Sequence, residues 1–148
     1  MITRRAGLAV RAVTALTSAR SRRKANDLAQ ELQTTPGFVA HVLNPLVKAG
    51  WVRSVPGPAG GYELTAAADG LSALDVVEAV DGPTASGDCV LEDRACLATE
   101  ACVLHEAWLA ARAVLTRTLE ITPAAICDPR VLTSTTQSRK TEPRRTKP

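Results

Sequence analysis

The chain has 148 residues, 18 Lys and Arg against 15 Asp and Glu, 45% apolar residues, four cysteines, and only two Trp, one Tyr and one Phe. That suffices for one domain with a buried core and excludes wholesale disorder, while no uncharged apolar run of about 18 residues is present to suggest a membrane span. So few aromatics also argue against a recognition surface built on base stacking.

The small net charge of +3 hides a segregation. Residues 1 to 65 carry nine bases and three acids, residues 66 to 129 three bases and eleven acids, and residues 130 to 148 six bases and one acid. The first segment has the character of a polyanion binder and the second does not, although a charge cluster can also be plain solvated surface.

The first 24 residues hold seven bases and no acid. A secretory signal needs an unbroken apolar stretch, and Arg11 interrupts the one candidate, so a transit peptide or a retained helix remains. Leu8, Ala12, Ala15, Leu16 and Ala19 recur at helical spacing and favour the helix. A second helical pattern spans Ala25 to Leu32. Thr35 and Pro36 read as the N-cap and first turn of a third, which turns Phe38, Val39, Val42, Leu43 and Leu46 inward and stops near Gly50. Pro45 should kink this helix, because it cannot bond the His41 carbonyl. Trp51 to Val55 and Tyr62 to Thr65 are strand-like runs joined by a Pro- and Gly-rich turn.

Three helices and a hairpin define a winged helix-turn-helix, mainly α with a small β-hairpin. The third helix suits the major groove, and the hairpin the backbone or minor groove. The residues expected to face DNA are Arg4, Arg5, Arg22, Arg23, Lys24, Thr35, Gly37, His41, Asn44, Lys48, Arg53, Gly57 and Gly60. The arginines and lysines suit phosphates, and His41 and Asn44 suit bases. A small helical domain with a hairpin can instead bind protein; the local charge of +6 tips the balance to DNA.

Ser72 to Asp75 is a capping-box-like start to a short helix through Val80, with Asp a shorter acceptor than the usual Glu. From about Glu100 to Glu120 a long helix is expected, with Leu104, Trp108, Ala111, Leu115 and Thr118 on one stripe. A domain this small cannot cover that stripe alone, so pairing with a second chain is expected at Leu104, Trp108, Ala111 and Leu115. A short helix near Pro123 to Ile126 precedes Cys127, which reads as a packing residue.

Cys89, Cys96, Cys102 and His105 place four soft or borderline ligands within 17 residues. Thiolates favour iron-sulfur clusters or zinc, and imidazole is compatible with both. The spacing matches neither paired zinc knuckles nor common ferredoxin runs. A Cys89–Cys96 disulfide, free buried cysteines and an ordinary interface histidine are the plainer readings, and Asp88, Glu92 and Asp93 are competing oxygen donors.

Arg4 to Ala12, Phe38 to Leu43, Ala49-Gly50-Trp51-Val52, Gly60-Gly61-Tyr62-Glu63-Leu64, Asp75 to Gly82 and Cys102-x2-His105-x2-Trp108 together resemble the Rrf2 family of bacterial winged-helix regulators, over roughly residues 1 to 126. The resemblance implies a homodimeric, cytoplasmic transcription factor, not an enzyme, that binds a double-stranded DNA operator. It further implies that Cys89, Cys96, Cys102 and His105 hold an iron-sulfur cluster, of 2Fe-2S type, whose state reports redox conditions, nitric oxide or iron-sulfur status. A family branch draws its fourth ligand from a first-helix carboxylate, but Gly7 stands at the matching position here. Two departures bear on the site: the first cysteine gap is six residues where five is usual, and Pro56 replaces the usual wing arginine. The expected organisation is a DNA-binding unit at 1–65, a short helix, cluster loop and dimerisation helix at 66–127, and a disordered basic tail at 128–148. A cluster-free thiol-sensing regulator and a small metal-binding or electron-transfer protein are the alternatives.

Overall fold

The computed structural model describes residues 2–84, 87, 89, 91 and 101–126. Three helices come first, α1 (Arg4–Ala19), α2 (Ala25–Glu31) and α3 (Pro36–Lys48). Two of their starts have clear local causes. The Thr3 hydroxyl accepts from the Ala6 amide at 3.2 Å and the Thr35 hydroxyl from the Phe38 amide at 3.3 Å, each satisfying a first-turn N–H that has no helical partner. Pro36 occupies the first turn of α3, where a missing N–H costs nothing. That helix closes in a Schellman arrangement: Trp51 N–H reaches the Leu46 carbonyl and Gly50 N–H the Val47 carbonyl, both at 3.0 Å, with Gly50 at φ 80°. Pro45 lies inside α3, yet the chain stays helical through it to Lys48. The following turn is closed again by Ala49 N–H on the Pro45 carbonyl at 3.0 Å, and fully buried Leu46 holds the segment in the core.

The wing is an antiparallel pair, β1 (Val52–Val55) and β2 (Gly61–Leu64), in the register Val52↔Leu64, Arg53↔Glu63, Ser54↔Tyr62. The segment between α1 and α2 lies alongside it, because Arg23 and Tyr62 exchange both backbone hydrogen bonds at 2.8 Å. A side chain on Gly61 would forbid this approach: a Cβ there would stand 2.3 Å from the Arg23 carbonyl oxygen.

After a single 3-10 turn at Ala66–Ala68, α4 (Ala73–Asp81) begins in a complete capping box. Ser72 Oγ accepts from the Asp75 amide at 3.1 Å and the Asp75 carboxylate accepts from the Ser72 amide at 2.8 Å, so the shorter acid suffices. The long helix, α5 (His105–Ile121), starts later than the sequence suggests. Residues 101–104 are not helical, and Cys102 lies in the preceding turn, where its carbonyl accepts from the His105 amide at 3.0 Å. Leu104 at the N-cap offers no side-chain acceptor that could stabilise a helix start, and its backbone is already outside the helical region at ψ 0°. A 3-10 turn at Ala124–Ile126 ends the described chain. Among the described residues no helix is long and apolar enough to cross a membrane.

One core runs through both halves of the chain. Leu8, Ala12 and Leu16 of α1, Leu28 of α2, Val39, Leu43 and Leu46 of α3, Val52 of β1, and Val76, Val77 and Val80 of α4 belong to a single buried cluster. In contrast, α5 has no buried residue. Near its C-terminal end it is fastened to the body: Leu119 packs on the core, Ala73 N–H donates to the Thr122 carbonyl at 2.7 Å, and the buried Ala124 accepts from the Thr14 hydroxyl at 2.9 Å. The expected packing of Cys127, the tail 128–148, and Cys96 with Asp88, Glu92 and Asp93 lie outside the described residues.

Candidate nucleic-acid interface and cysteine region

The inward side chains of α3 leave Gly37, Ala40, His41, Asn44 and Lys48 exposed on its other side. These positions recur at three- and four-residue spacing, so they share one face. Gly37 and Ala40 keep that face shallow near the helix start, and His41 and Asn44 offer both donors and acceptors. The Phe38 and His41 rings lie 5.9 Å apart, tilted by 40°, which limits the imidazole's freedom. Thr35, also placed in the DNA-facing set, spends its hydroxyl on the cap.

The basic residues divide by what they touch. Arg4, Lys24 and Lys48 are exposed. Arg5 instead turns to the far end of α4, where it donates to the Val80 carbonyl and lies 3.9 Å from Asp81, whose carboxylate also accepts from the Thr3 amide at 2.9 Å. Its position therefore serves the α1–α4 joint. Arg23 pairs with Glu31 at 3.0 Å, and both Arg22 and Arg53 converge on Glu63. Hydrogen bonds from Arg53 and then Arg22 hold the Glu63 carboxyl below the usual glutamate range. The sequence reading missed these acids. The Arg53–Glu63 pair was in principle visible, since hairpin register sets them opposite one another, but Arg22 was not, because no local pattern announces the Arg23–Tyr62 bridge.

In the wing turn, Gly57 is exposed at φ 98°. Gly60, also placed in the DNA-facing set, is buried. Its amide donates to the Gly57 carbonyl at 2.9 Å, and a Cβ would stand 2.1 Å from the Val55 carbonyl oxygen. The glycine is required by the turn itself.

Cys89, Cys102 and His105 are all half-buried, and the Leu91 amide donates to Cys89 Sγ at 3.4 Å. Among the described residues, however, no group of three His, Cys, Asp or Glu side chains is gathered closely enough to hold a metal ion. The chemistry of the donor set fits a cluster; Cys96, the remaining expected thiolate, lies outside the described residues.

The long-helix stripe divides as well. Leu104 and Leu115 are 42% and 43% exposed, and Ala111 is exposed too. Trp108 is half-buried, with the Arg112 guanidinium 5.2 Å from its ring centre and no hydrogen-bond acceptor for its indole N–H among the described residues. Trp108, Ala111 and Leu115 form one wall of a groove of about 430 Å³ whose other wall includes Ile2, Val77 and Pro83.

A helical body that presents one polar helix face beside a two-stranded wing defines a winged-helix protein of the DNA-binding type. The chain belongs to the Rrf2 family, described as iron-dependent transcriptional regulators, which it matches over residues 2–128. It is 36% identical over 124 residues to a Mycobacterium tuberculosis protein named as an HTH-type transcriptional regulator, covering 82% of this chain and 76% of that one. It is also similar to the HTH-type transcriptional regulator IscR of Erwinia tasmaniensis, 32% identical over 82 residues that cover 55% of this chain and 49% of the relative. Among solved structures, the global cysteine regulator CymR of Bacillus subtilis shares the fold with a TM-score of 0.65 at 24% identity, over 84% of this chain and 92% of CymR. The protein is thus a transcriptional regulator of the Rrf2 family.

Proposed function

We propose that this regulator acts as a cytoplasmic homodimer that reads an operator through α3 and the wing, and that an iron-sulfur cluster held by Cys89, Cys96, Cys102 and His105 modulates that reading. The observation that carries the DNA part is the exposed Gly37, Ala40, His41, Asn44, Lys48 face on a helix otherwise buried in the core. His41 and Asn44 carry base preference, while Arg4, Lys24 and Lys48 attract phosphates without regard to sequence. Dimerisation is supported by the exposed apolar side of α5, since a second copy would cover Leu104, Ala111 and Leu115 together with the groove beside them.

For the cluster, three thiolates and one imidazole are donors suited to a 2Fe-2S centre, which would supply a redox- and nitric-oxide-reactive group. The chain's own part is to present these donors and to couple them to the DNA-binding body. Cys102 and His105 flank the start of α5, and α5 is anchored through Thr122 and Ala124 to α4 and α1. Ordering the start of α5 would therefore bear on how two winged bodies are held apart across a dimer. With Gly7 unable to donate, His105 is the fourth ligand.

Anaerobic purification followed by an absorption spectrum, iron and sulfide analysis, and duplex binding with and without the cluster tests this function. The expected result is about two irons and two sulfides per chain, with operator affinity that differs between the two forms. His105→Ala should lower cluster occupancy sharply while the apo protein stays folded. A full, unaltered cluster in that variant would overturn the ligand assignment. The likeness to CymR of Bacillus subtilis, described as a global cysteine regulator, favours a second reading, in which the cysteines sense thiol chemistry without metal; binding that responds to oxidant but never to iron would establish it.

A further inference from the structure

The wing carries a side-chain ladder that its hairpin register accounts for only in part. Arg53 lies directly across from Glu63 in the β1–β2 register, and the Arg23–Tyr62 bridge places Arg22 across from Glu63 on the other side. Arg22, Glu63 and Arg53 therefore form one row over three adjacent strand segments, with the acid at its centre. Arg22 donates from Nε to one carboxylate oxygen at 3.2 Å and from Nη2 to the other at 3.4 Å, and Arg53 donates from Nε at 2.7 Å. The carboxylate is the most sheltered of the three side chains, 19% exposed against 36% for Arg22 and 67% for Arg53.

An acid at this place is a puzzle if stability is its purpose. Exposed ion pairs contribute little, and a negative charge on a DNA-facing wing repels phosphate. The geometry resolves it. Arginine side chains carry about 2 kcal/mol of rotamer entropy that a phosphate contact would have to overcome, and Glu63 has already fixed both of them. It engages only Nε and Nη2 of each guanidinium, so the Nη1 donors lie outside these contacts.

We propose that Glu63 is a positioning residue for DNA binding, holding Arg22 and Arg53 as a paired-guanidinium clamp for the phosphodiester backbone. The clamp rests on the DNA-binding reading above. It adds that a negatively charged residue strengthens binding to a polyanion through the two cations it aligns. The contact is independent of base sequence, so it sets how firmly the wing seats and leaves α3 to choose the site.

The test measures binding of the full chain to a labelled random-sequence duplex across a series of NaCl concentrations. Glu63→Gln and Arg53→Lys are made singly, and Glu63→Gln is also made in an Arg22→Ala/Arg53→Ala background. Charge alone predicts that Glu63→Gln tightens binding; the clamp predicts the reverse, about threefold or more weaker, with the salt slope shallower by about one. Arg53→Lys keeps the charge but not the two-pronged contact, and should weaken binding as well. In the double-arginine background Glu63→Gln should no longer weaken binding, and should tighten it. Unchanged or tighter binding by Glu63→Gln in the otherwise native chain overturns the clamp while leaving DNA binding intact. Equal weakening in both backgrounds overturns it too, since that marks a structural role. A native chain with no salt-dependent affinity for any duplex removes the DNA reading and the clamp together.

Discussion

Replacing Gly61 with alanine should be among the most damaging single-atom additions this protein can suffer. The new Cβ would sit 2.3 Å from the Arg23 carbonyl oxygen and 2.8 Å from its carbon, both backbone atoms that no rotamer change can move aside. Gly61 also holds φ 142°, a region where a side chain costs about 1–3 kcal/mol. Relief of the clash means separating Arg23 from Tyr62 and losing their two 2.8 Å hydrogen bonds, at a net cost of about 1 kcal/mol each. The sum is about 3–5 kcal/mol, a large share of the roughly 5–15 kcal/mol that holds a typical domain. Urea unfolding followed by circular dichroism measures it, with Gly7→Ala as the control. Gly7 lies inside α1 with nothing within 4 Å of an added Cβ, so alanine there should stabilise by about 0.5–1 kcal/mol. A loss below about 1 kcal/mol for Gly61→Ala would refute the reasoning, for it would mean the Arg23 segment is not bound to the wing as the bridge requires.

Other outcomes follow from single contacts. Ser72→Ala breaks one arm of the capping box and should cost about 1 kcal/mol in the same unfolding assay. Leu115→Asp, at a side chain 43% exposed in one chain, should shift stability by less than about 0.5 kcal/mol if the protein is monomeric. In a dimer it should instead yield monomers by sedimentation and abolish tight operator binding. Because hydrogen bonds from Arg53 and Arg22 lower the folded pKa of Glu63, its contribution is present above the ordinary glutamate range and is lost as pH falls through the folded value. The urea midpoint of the native chain should therefore fall more steeply below that range than that of Glu63→Gln, and parallel curves would count against the ion pairs.

How much was legible in the sequence follows the range of the forces involved. Helix starts were legible because a cap is a conversation between residues three apart, as at Thr35 with Phe38 and Ser72 with Asp75. The end of α3 at Gly50 and the hairpin were legible for the same reason, since left-handed glycine and period-two alternation are local signals. The start of α5 was not. Apolar periodicity extends upstream of His105, but the chain there closes a turn at Cys102 that periodicity cannot register. Tertiary structure alone decided the fates of the basic residues. Arg5 is drawn to Asp81 across 76 positions of sequence, and Arg22 reaches Glu63 because a backbone bridge lays one segment against another. Composition can count nine bases in the first 65 residues, but each guanidinium's partner depends on contacts that form only once α4 and the wing have packed on α1. The sequence determined that this is a winged-helix regulator, since caps, turns and apolar spacing act locally; which of its charges remain available to a phosphate was decided by long-range packing, because electrostatics follows distance in space and not along the chain.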